Sequence, residues 1–290
     1  MKLTSEVIEN ISRIKREPKF MLDFRLKALE TFNNCDNPNF GPELDIDYDK
    51  ITYYKERKGD ITSNWDDVDK DIYNEFDNLG LIKAEKNYLD GIGAQYDSEV
   101  IYHNMIKELE AKNVIFLDTD TALKRYPELF MKYFNTLVKY DENKFTALNG
   151  AVWSGGTFIY IPPNTKLDRP LQSYFRISSE KLGQFERTLI IVDDNSSLHY
   201  IEGCTARNYT SSNLHAAVVE IYVGKNAKCR YTTIQNWSSD VYNLVTKRAI
   251  VSKGGLMEWI DGNIGSKLTM KYPCCILKGD NSRGTCVTIS

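Results

Sequence analysis

The stretch that decides the fold is a series of short runs: GQFERTLIIVDD (Gly183–Asp194), HYIEGCT (His199–Thr205), LHAAVVEIYV (Leu214–Val223), YTTIQNW (Tyr231–Trp237) and NLVTKRA (Asn243–Ala249). They are rich in β-branched and aromatic residues and punctuated by turn residues, which is strand grammar. The same grammar spreads outward in both directions. Phe158–Ile161 and Gln172–Ser178 precede, and within and beyond the series come Glu186–Val192, Ser197–Glu202, Ala216–Val223, Cys229–Trp237, Asn243–Val251, Met257–Ile260, Lys267–Lys271 and Thr285–Ser290. Turn clusters place Asn195, Asn226, Gly254 and Asn281 at intervals of 31, 28 and 27 residues. Such an interval suits the coils of a β-solenoid, each burying its inner row on its neighbours. The coils resemble one another only weakly, so periodicity by itself leaves a β-sandwich open.

Ahead of the strands the pattern is helical. Val7, Ile8, Ile11 and Ile14 predict a helix over Ser5–Arg16, stopped by Pro18, and Leu22, Leu26 and Leu29 predict another over Phe20–Phe32. Pro38–Asp60 is irregular. Ser63 or Asn64 is positioned to cap a helix through Phe76, with a turn at Gly80. Asp97 or Ser98 is expected to cap a helix to about Lys112, with Ile101, Met105 and Leu109 on one stripe and His103 off it as a partly exposed helix histidine. Val114–Leu117 reads as a short strand, Asp118 or Thr119 as the cap of a helix to Arg125, and Pro127 as the first turn of a helix to about Leu137.

Composition narrows the function. Of 290 residues, 42% are apolar and the net charge is −3, so a sizeable core is available and there is no basic footprint for nucleic acid. No run approaches the roughly 20 apolar residues of a membrane span. The start, MKLTSEVIENISRIKREP, has no apolar core of a secretory signal, leaving the bacterial cytoplasm as the expected compartment and a plastid as the alternative. The six cysteines, Cys35, Cys204, Cys229, Cys274, Cys275 and Cys286, contain no C-x-x-C and suggest neither a disulfide framework nor a zinc finger. GNIGSKLT (Gly262–Thr269) lacks the spacing of a phosphate loop and sits between strands.

Cys204 is the thiol worth singling out. Strand alternation sets it on the side of Glu202, with Gly203 leaving room beside it. Cations near a thiol favour the reactive thiolate, and Arg176 and Lys247 are candidates, both in strands where charge is unexpected. Gln235 and Trp237 share a face with Tyr231 and Thr233. Taken alone, a strand cysteine is an inert small hydrophobe, Lys247 a snorkelling edge residue and Trp237 core packing. Cys229 and Cys286 are weaker candidates, Cys229 reading as packing although it shares the parity of Gln235 and Trp237, and Cys274 and Cys275 point to opposite faces. His199 has the wrong parity and His215 lies across a loop, so no metal site is expected near Cys204.

These motifs, in this order, resemble the SufB/SufD family of scaffold subunits of the SUF iron–sulfur cluster assembly complex, its SufB members above all. The likeness is strong from Thr119 to Thr288 and visible in EPKFMLDFRLKALETF (Glu17–Phe32). It implies a mainly β chain, with a helical region over residues 1–112 and a right-handed parallel β-helix core over 113–290. It implies an interior path lined by Arg176, Cys204, Gln235, Trp237 and Lys247, with Glu202 beside it. Cys204 would accept a persulfide sulfur from a SufE- or SufU-type donor served by a SufS-type cysteine desulfurase. Where the family commonly has Asn, this chain has Ser178. The implied partners are SufD and the SufC ATPase; the implied cargo is a transient iron–sulfur cluster on the full complex. Reduced flavin is implied too, although no dinucleotide motif is present. The family's assembly-site residues lie further on, and GTCVTIS (Gly284–Ser290) is a strand pattern with nothing to close the stack, so C-terminal coils and a helical segment are expected to be missing. The expectation is a scaffold and sulfur acceptor, not a turnover enzyme. The alternatives are a sulfur transferase using Cys204 with His199 or His215, and a purely structural β-solenoid that binds a partner.

Overall fold

A computed structural model describes residues 2–57, 59–206 and 213–290. Strand occupies 39% of the chain and helix 28%, and the C-terminal part winds into a β-solenoid of about four turns, so the fold is mainly β as expected. The first two helices fall where the apolar spacing puts them. α1 (Ser5–Lys15) buries Ile8 and Ile11 and ends at Arg16 in the left-handed region (φ 52°), and Pro18 opens α2 (Lys19–Asn34). Arg25 of α2 is fully buried. Its guanidinium donates to Glu17 at 2.6 and 2.8 Å and to the carbonyls of Ala151 and Trp153, tying this helix to the body.

The next segment departs from expectation. Asn64 caps only a single 3₁₀ turn, and the helix α3 (Lys70–Asn78) starts at Asp69, whose carboxylate accepts from the amides of Asp71 and Ile72. Gly80, at φ 76°, leads into α4 (Leu81–Tyr88). The helix expected over 98–112 is instead a hairpin of β1 (Gly91–Tyr96) and β2 (Glu99–Met105), followed by the short α5 (Lys107–Ala111). Ile101, Met105 and Leu109 mimic a helical stripe, but tertiary pairing overrides it, because a local period is a weak prior. Asp97 takes the turn at φ 56° and anchors it, its buried carboxylate accepting from Ser178, Ser179 and Lys55. Strands therefore begin ahead of residue 113. His103 lies on β2, its ring 4.7 Å from Phe116, and burial pushes its pKa down to about 4.

β3 (Ile115–Asp118) and α6 (Thr119–Arg125) follow as predicted, with the Asp118 carboxylate capping the helix, and Pro127 opens α7 (Pro127–Tyr133). That helix stops short of Leu137 because the amides of Asn135, Leu137 and Val138 turn to the carboxylate of Glu220, itself paired with Arg187 at 2.9 Å. α8 (Lys144–Val152) has no amphipathic signature. It is buried from Phe145 onward and held at its start by a reciprocal Asn143–Thr146 cap.

The solenoid strands are β4 (Thr157–Ile161), β5 (Leu171–Ile177), β6 (Gly183–Gln184), β7 (Arg187–Val192), β8 (Ser197–Ala206), β9 (Asn213–Val223), β10 (Lys228–Trp237), β11 (Val241–Val251), β12 (Leu256–Gly265), β13 (Leu268–Leu277) and β14 (Arg283–Ile289). Apart from β6 and β7, which both pair with β9, successive strands alternate between two sheets. One is ordered β14-β12-β10-β8-β5-β1-β2 and the other β13-β11-β9-β7-β4-β3, with β6 paired to β9. Within each sheet the solenoid strands pair in parallel, so like positions of successive coils stack. The turns stack too. Asn164, Asn195, Asn226 and Asn281 adopt positive φ, and the side chains of Asn195 and Asn226 each donate to the asparagine one coil back, at 3.1 and 3.3 Å. Asparagine tolerates that conformation and satisfies its neighbour at once.

Candidate functional site

The inner face of the solenoid is zoned. Beside the asparagine turns it is apolar: Val192, Leu198, Val223, Cys229, Val251 and Met257 belong to one buried cluster that also holds Tyr231 and Trp259. Toward the middle of the strands it becomes polar. Parallel register stacks Glu202 on Thr233 and Cys204 on Gln235, then Thr233 on Asp261; in the facing sheet it stacks His215 on Asn243. Alternation therefore brings Cys204, Glu202, Gln235, Trp237 and Lys247 into one buried interior, which is where the family resemblance implies them.

Cys204 is wholly buried. Its thiol donates to Glu202 Oε1 at 3.7 Å, and its sulfur receives Gln235 Nε2 at 3.8 Å. Glu202 Oε2 accepts from Tyr231 at 2.5 Å. Gln235 Oε1 accepts from Asn243 Nδ2 at 2.8 Å and Trp237 Nε1 at 3.3 Å. Asn243 Oδ1 lies 2.7 Å from His215 Nδ1, and His215 Nε2 faces the Glu186 carboxylate. A second group adjoins the first. Asp261 Oδ1 accepts from Lys247 at 2.6 Å, from Lys271 at 3.1 Å and from Thr233, and Lys271 also reaches Asn263 at 2.8 Å. The Lys247 ammonium stands 4.7 Å over the Tyr231 ring and 5.4 Å over Trp259. Tyr231 thus touches both groups.

The electrostatics differ from expectation. The Cys204 thiol is pushed well above its ordinary pKa by burial first and then by the Glu202 and Glu186 carboxylates, with Lys271 and Gln235 pulling the other way. Burial likewise raises Glu202, against Lys247. The thiol is therefore held protonated beside a carboxylate, not poised as a thiolate between cations. Lys247 bonds Asp261 and not the sulfur. Burial would raise Asp261, but Lys247 and Lys271 outweigh it and hold it down at about 2; burial and Lys247 bring Lys271 down to about 8. His215 is raised, because Glu186 and Asn243 overcome the cost of burial.

Arg176 does not join this space. Phe175, its neighbour, is the residue stacked on Cys204, so Arg176 points to the opposite face, where it bonds Thr205 Oγ1 at 3.0 Å and pairs with Glu75 at 3.2 Å. Gly203 also serves that outer face, since a Cβ there would meet the Tyr174 ring at 2.4 and 2.5 Å, so the room it leaves is for Tyr174 and not for Cys204. His199 faces away from Cys204 and lies 3.0 Å from Thr232 Oγ1. His215, set aside in the sequence, lies inside with its ring 4.7 Å from Trp237. Ser178 bonds Asp97 at the hairpin turn. Cys229 packs in the apolar zone, where burial pushes its pKa well up, and burial brings that of Cys275 up to about 11. Asn243, Asp261 and Lys271 were missed, although each is polar at an inward parity that Lys247 or Gln235 already marks. Among the described residues no group of three or more His, Cys, Asp or Glu is arranged to hold a metal ion, and no helix is long and apolar enough to cross a membrane.

The class the fold and site define is a parallel β-solenoid with a buried thiol set in a polar interior. The comparisons with known proteins make the class particular. A family model described as SUF system FeS cluster assembly, SufBD core domain, matches residues 175–290, and one for the SufBD protein N-terminal region matches residues 94–173. The chain belongs to the SufBD family of iron–sulfur cluster assembly proteins. It is 56% identical over 289 residues to the iron–sulfur cluster assembly protein SufB of Bacillus subtilis (strain 168), which covers 99% of this chain. It is 57% identical over the same length to an iron–sulfur cluster assembly SufBD family protein of Staphylococcus aureus (strain MRSA252). The chain spans 62% of the length of each of these relatives.

Proposed function

We propose that this chain is the sulfur-accepting part of an iron–sulfur assembly scaffold, with Cys204 as the acceptor. The observation that carries this is the Cys204 thiol held between the Glu202 carboxylate and the Gln235 amide inside the solenoid. In this reading the Cys204 sulfur attacks the sulfane sulfur of a donor persulfide of the SufE or SufU type, itself loaded by a SufS-type cysteine desulfurase. The S–H proton passes to Glu202, the donor leaves as a thiolate, and a persulfide remains on Cys204. A thiol kept protonated until the donor arrives is spared oxidation by solvent species. The outer sulfur leaves only when the thiolate of a receiving cysteine attacks it, forming a new persulfide there while Cys204 departs as the thiolate; the route past Tyr231 toward Lys247 and Lys271, whose ammonium groups suit an anionic cargo, leads to that receiver. Arg176 acts from outside, tying Thr205 to Glu75. The iron–sulfur cluster is cargo, completed with SufD at a shared interface and with SufC as the ATPase; reduced flavin is assigned to that complex, not to a motif in this chain.

Incubation with a cysteine desulfurase, its sulfur shuttle and isotope-labelled cysteine, followed by mass spectrometry, is expected to place label on Cys204 and to lose it in Cys204→Ser. Label spread evenly over the six thiols, or absent from all, overturns the assignment. Catalytic turnover by the isolated chain would point instead to a sulfur transferase.

A further inference from the structure

The polar interior contains a chain of side-chain amides whose orientation is not self-determined. An Asn or Gln amide can present either its oxygen or its NH2 to a neighbour, so something at the end of the chain must set the direction. Two donors bound this chain: the Trp237 indole N–H, which can only donate, at Gln235, and His215, buried with Glu186 on one ring nitrogen and Asn243 on the other. We propose that His215 is a positioning residue: donating from both ring nitrogens, it fixes the amide of Asn243 and, together with the Trp237 N–H, that of Gln235, so that the Gln235 NH2 faces the Cys204 sulfur. This rests on the sulfur-accepting role of Cys204.

A carboxylate only accepts, so Nε2 must donate to Glu186. If Nδ1 carried no proton it would accept, and Asn243 would have to turn its NH2 toward the ring and its oxygen toward Gln235. Gln235 would then turn its own NH2 toward Asn243. That places an NH2 against the Trp237 N–H, donor against donor, and points the Gln235 oxygen at the sulfur. With both ring nitrogens donating, every contact is matched: Asn243 Oδ1 accepts, Gln235 Oε1 accepts from Asn243 at 2.8 Å and Trp237 at 3.3 Å, and the remaining donor reaches Cys204 at 3.8 Å. An N–H aimed at sulfur favours a thiolate or persulfide, whereas an oxygen repels it. The charged and titratable groups facing the ring are Glu186 on the approach to β7 and Glu202 on β8; the Trp237 ring on β10 and the Asn243 amide on β11 complete its surroundings.

The test uses the intact chain in two measurements. Nitrogen-15 NMR of histidine-labelled protein should show both His215 ring nitrogens protonated at neutral pH. Persulfide loading of Cys204 should slow roughly 3- to 10-fold in His215→Gln, the net worth of one hydrogen bond, and comparably in Gln235→Glu. The double variant should be no slower than the slower single, because both act on one contact. A singly protonated ring in the wild-type chain, or multiplicative losses in the double variant, overturns the proposal whatever the folding of the variants. A wild-type chain with a doubly protonated ring that takes up no sulfur instead refutes the acceptor role and leaves the amide orientation supported.

Discussion

Asp261 is the residue on which the charge balance of the interior turns. Two buried ammonium groups, Lys247 at 2.6 Å and Lys271 at 3.1 Å, bond the same carboxylate oxygen, and Lys247 and Asp261 are almost completely out of water. Asp261→Asn keeps the shape but removes the charge. Breaking a buried pair from one side leaves an uncompensated ion and costs about 3–5 kcal/mol, with Glu202 softening the loss. The pH dependence follows. The Asp261 pKa is held at about 2, below its unfolded value, so its stabilisation is complete above that unfolded value and fades as pH falls toward 2. The shift corresponds to about 2 kcal/mol. Lys271 works the other way. Its folded pKa of about 8 lies below its unfolded value, so carrying its charge costs the fold roughly 3 kcal/mol below pH 8, and stability rises as pH climbs from there toward the unfolded value. Lys271→Met should therefore leave stability at pH 7 within about 1 kcal/mol of the original, or raise it. Urea unfolding followed by tryptophan fluorescence measures both variants. An Asp261→Asn chain within about 1 kcal/mol of the original, or a Lys271→Met chain as damaged as Asp261→Asn, would refute the pairing scheme.

Two further outcomes follow from the same geometry. Glu202→Gln removes the charge that, after burial, does most to raise the Cys204 pKa, so the thiol should titrate at lower pH; the thiolate absorbance difference against Cys204→Ser reads this directly, and an unchanged or higher titration would contradict it. Gly203→Ala drives a methyl into the Tyr174 ring and should cost about 1–3 kcal/mol by overpacking, with label still confined to Cys204; a neutral effect in urea unfolding would mean that the ring gives way freely.

Much of the fold was legible because solenoid strands obey one rule repeatedly. The near-constant interval between Asn195, Asn226, Gly254 and Asn281 becomes a physical stack in which backbone amides of one turn donate to carbonyls of the next. The errors sit where a local period competes with a distant partner. Ile101, Met105 and Leu109 imitate a helix, yet β1 pairs with β5 from Gly91 on Leu171 to Tyr96 on Arg176, and nothing in residues 91–105 announces a partner 80 residues away. α8 was invisible for the opposite reason, since a helix buried on every side has no polar face and so no period to detect.

The candidate site shows the same division more sharply. Parity along β8, β10 and β11 set Cys204 with Glu202 and Gln235 with Trp237, and the family resemblance supplied the shared interior with Lys247; the structure brings them together because in a parallel stack inward positions of neighbouring coils meet. Parity could not show which charges would pair with which. Cys204 was expected to lie among cations, but Lys247 is claimed by Asp261 on the next coil and Arg176 by Glu75 across the outer face. What remains beside the sulfur is a carboxylate and an amide, so the thiol is stored neutral. That storage matters to the chemistry. A thiolate kept permanently between buried lysines would be strongly stabilised and a poorer nucleophile, whereas, in the acceptor role we propose, a thiol that yielded its proton to Glu202 only as a donor's sulfur approached would keep its intrinsic reactivity for that encounter.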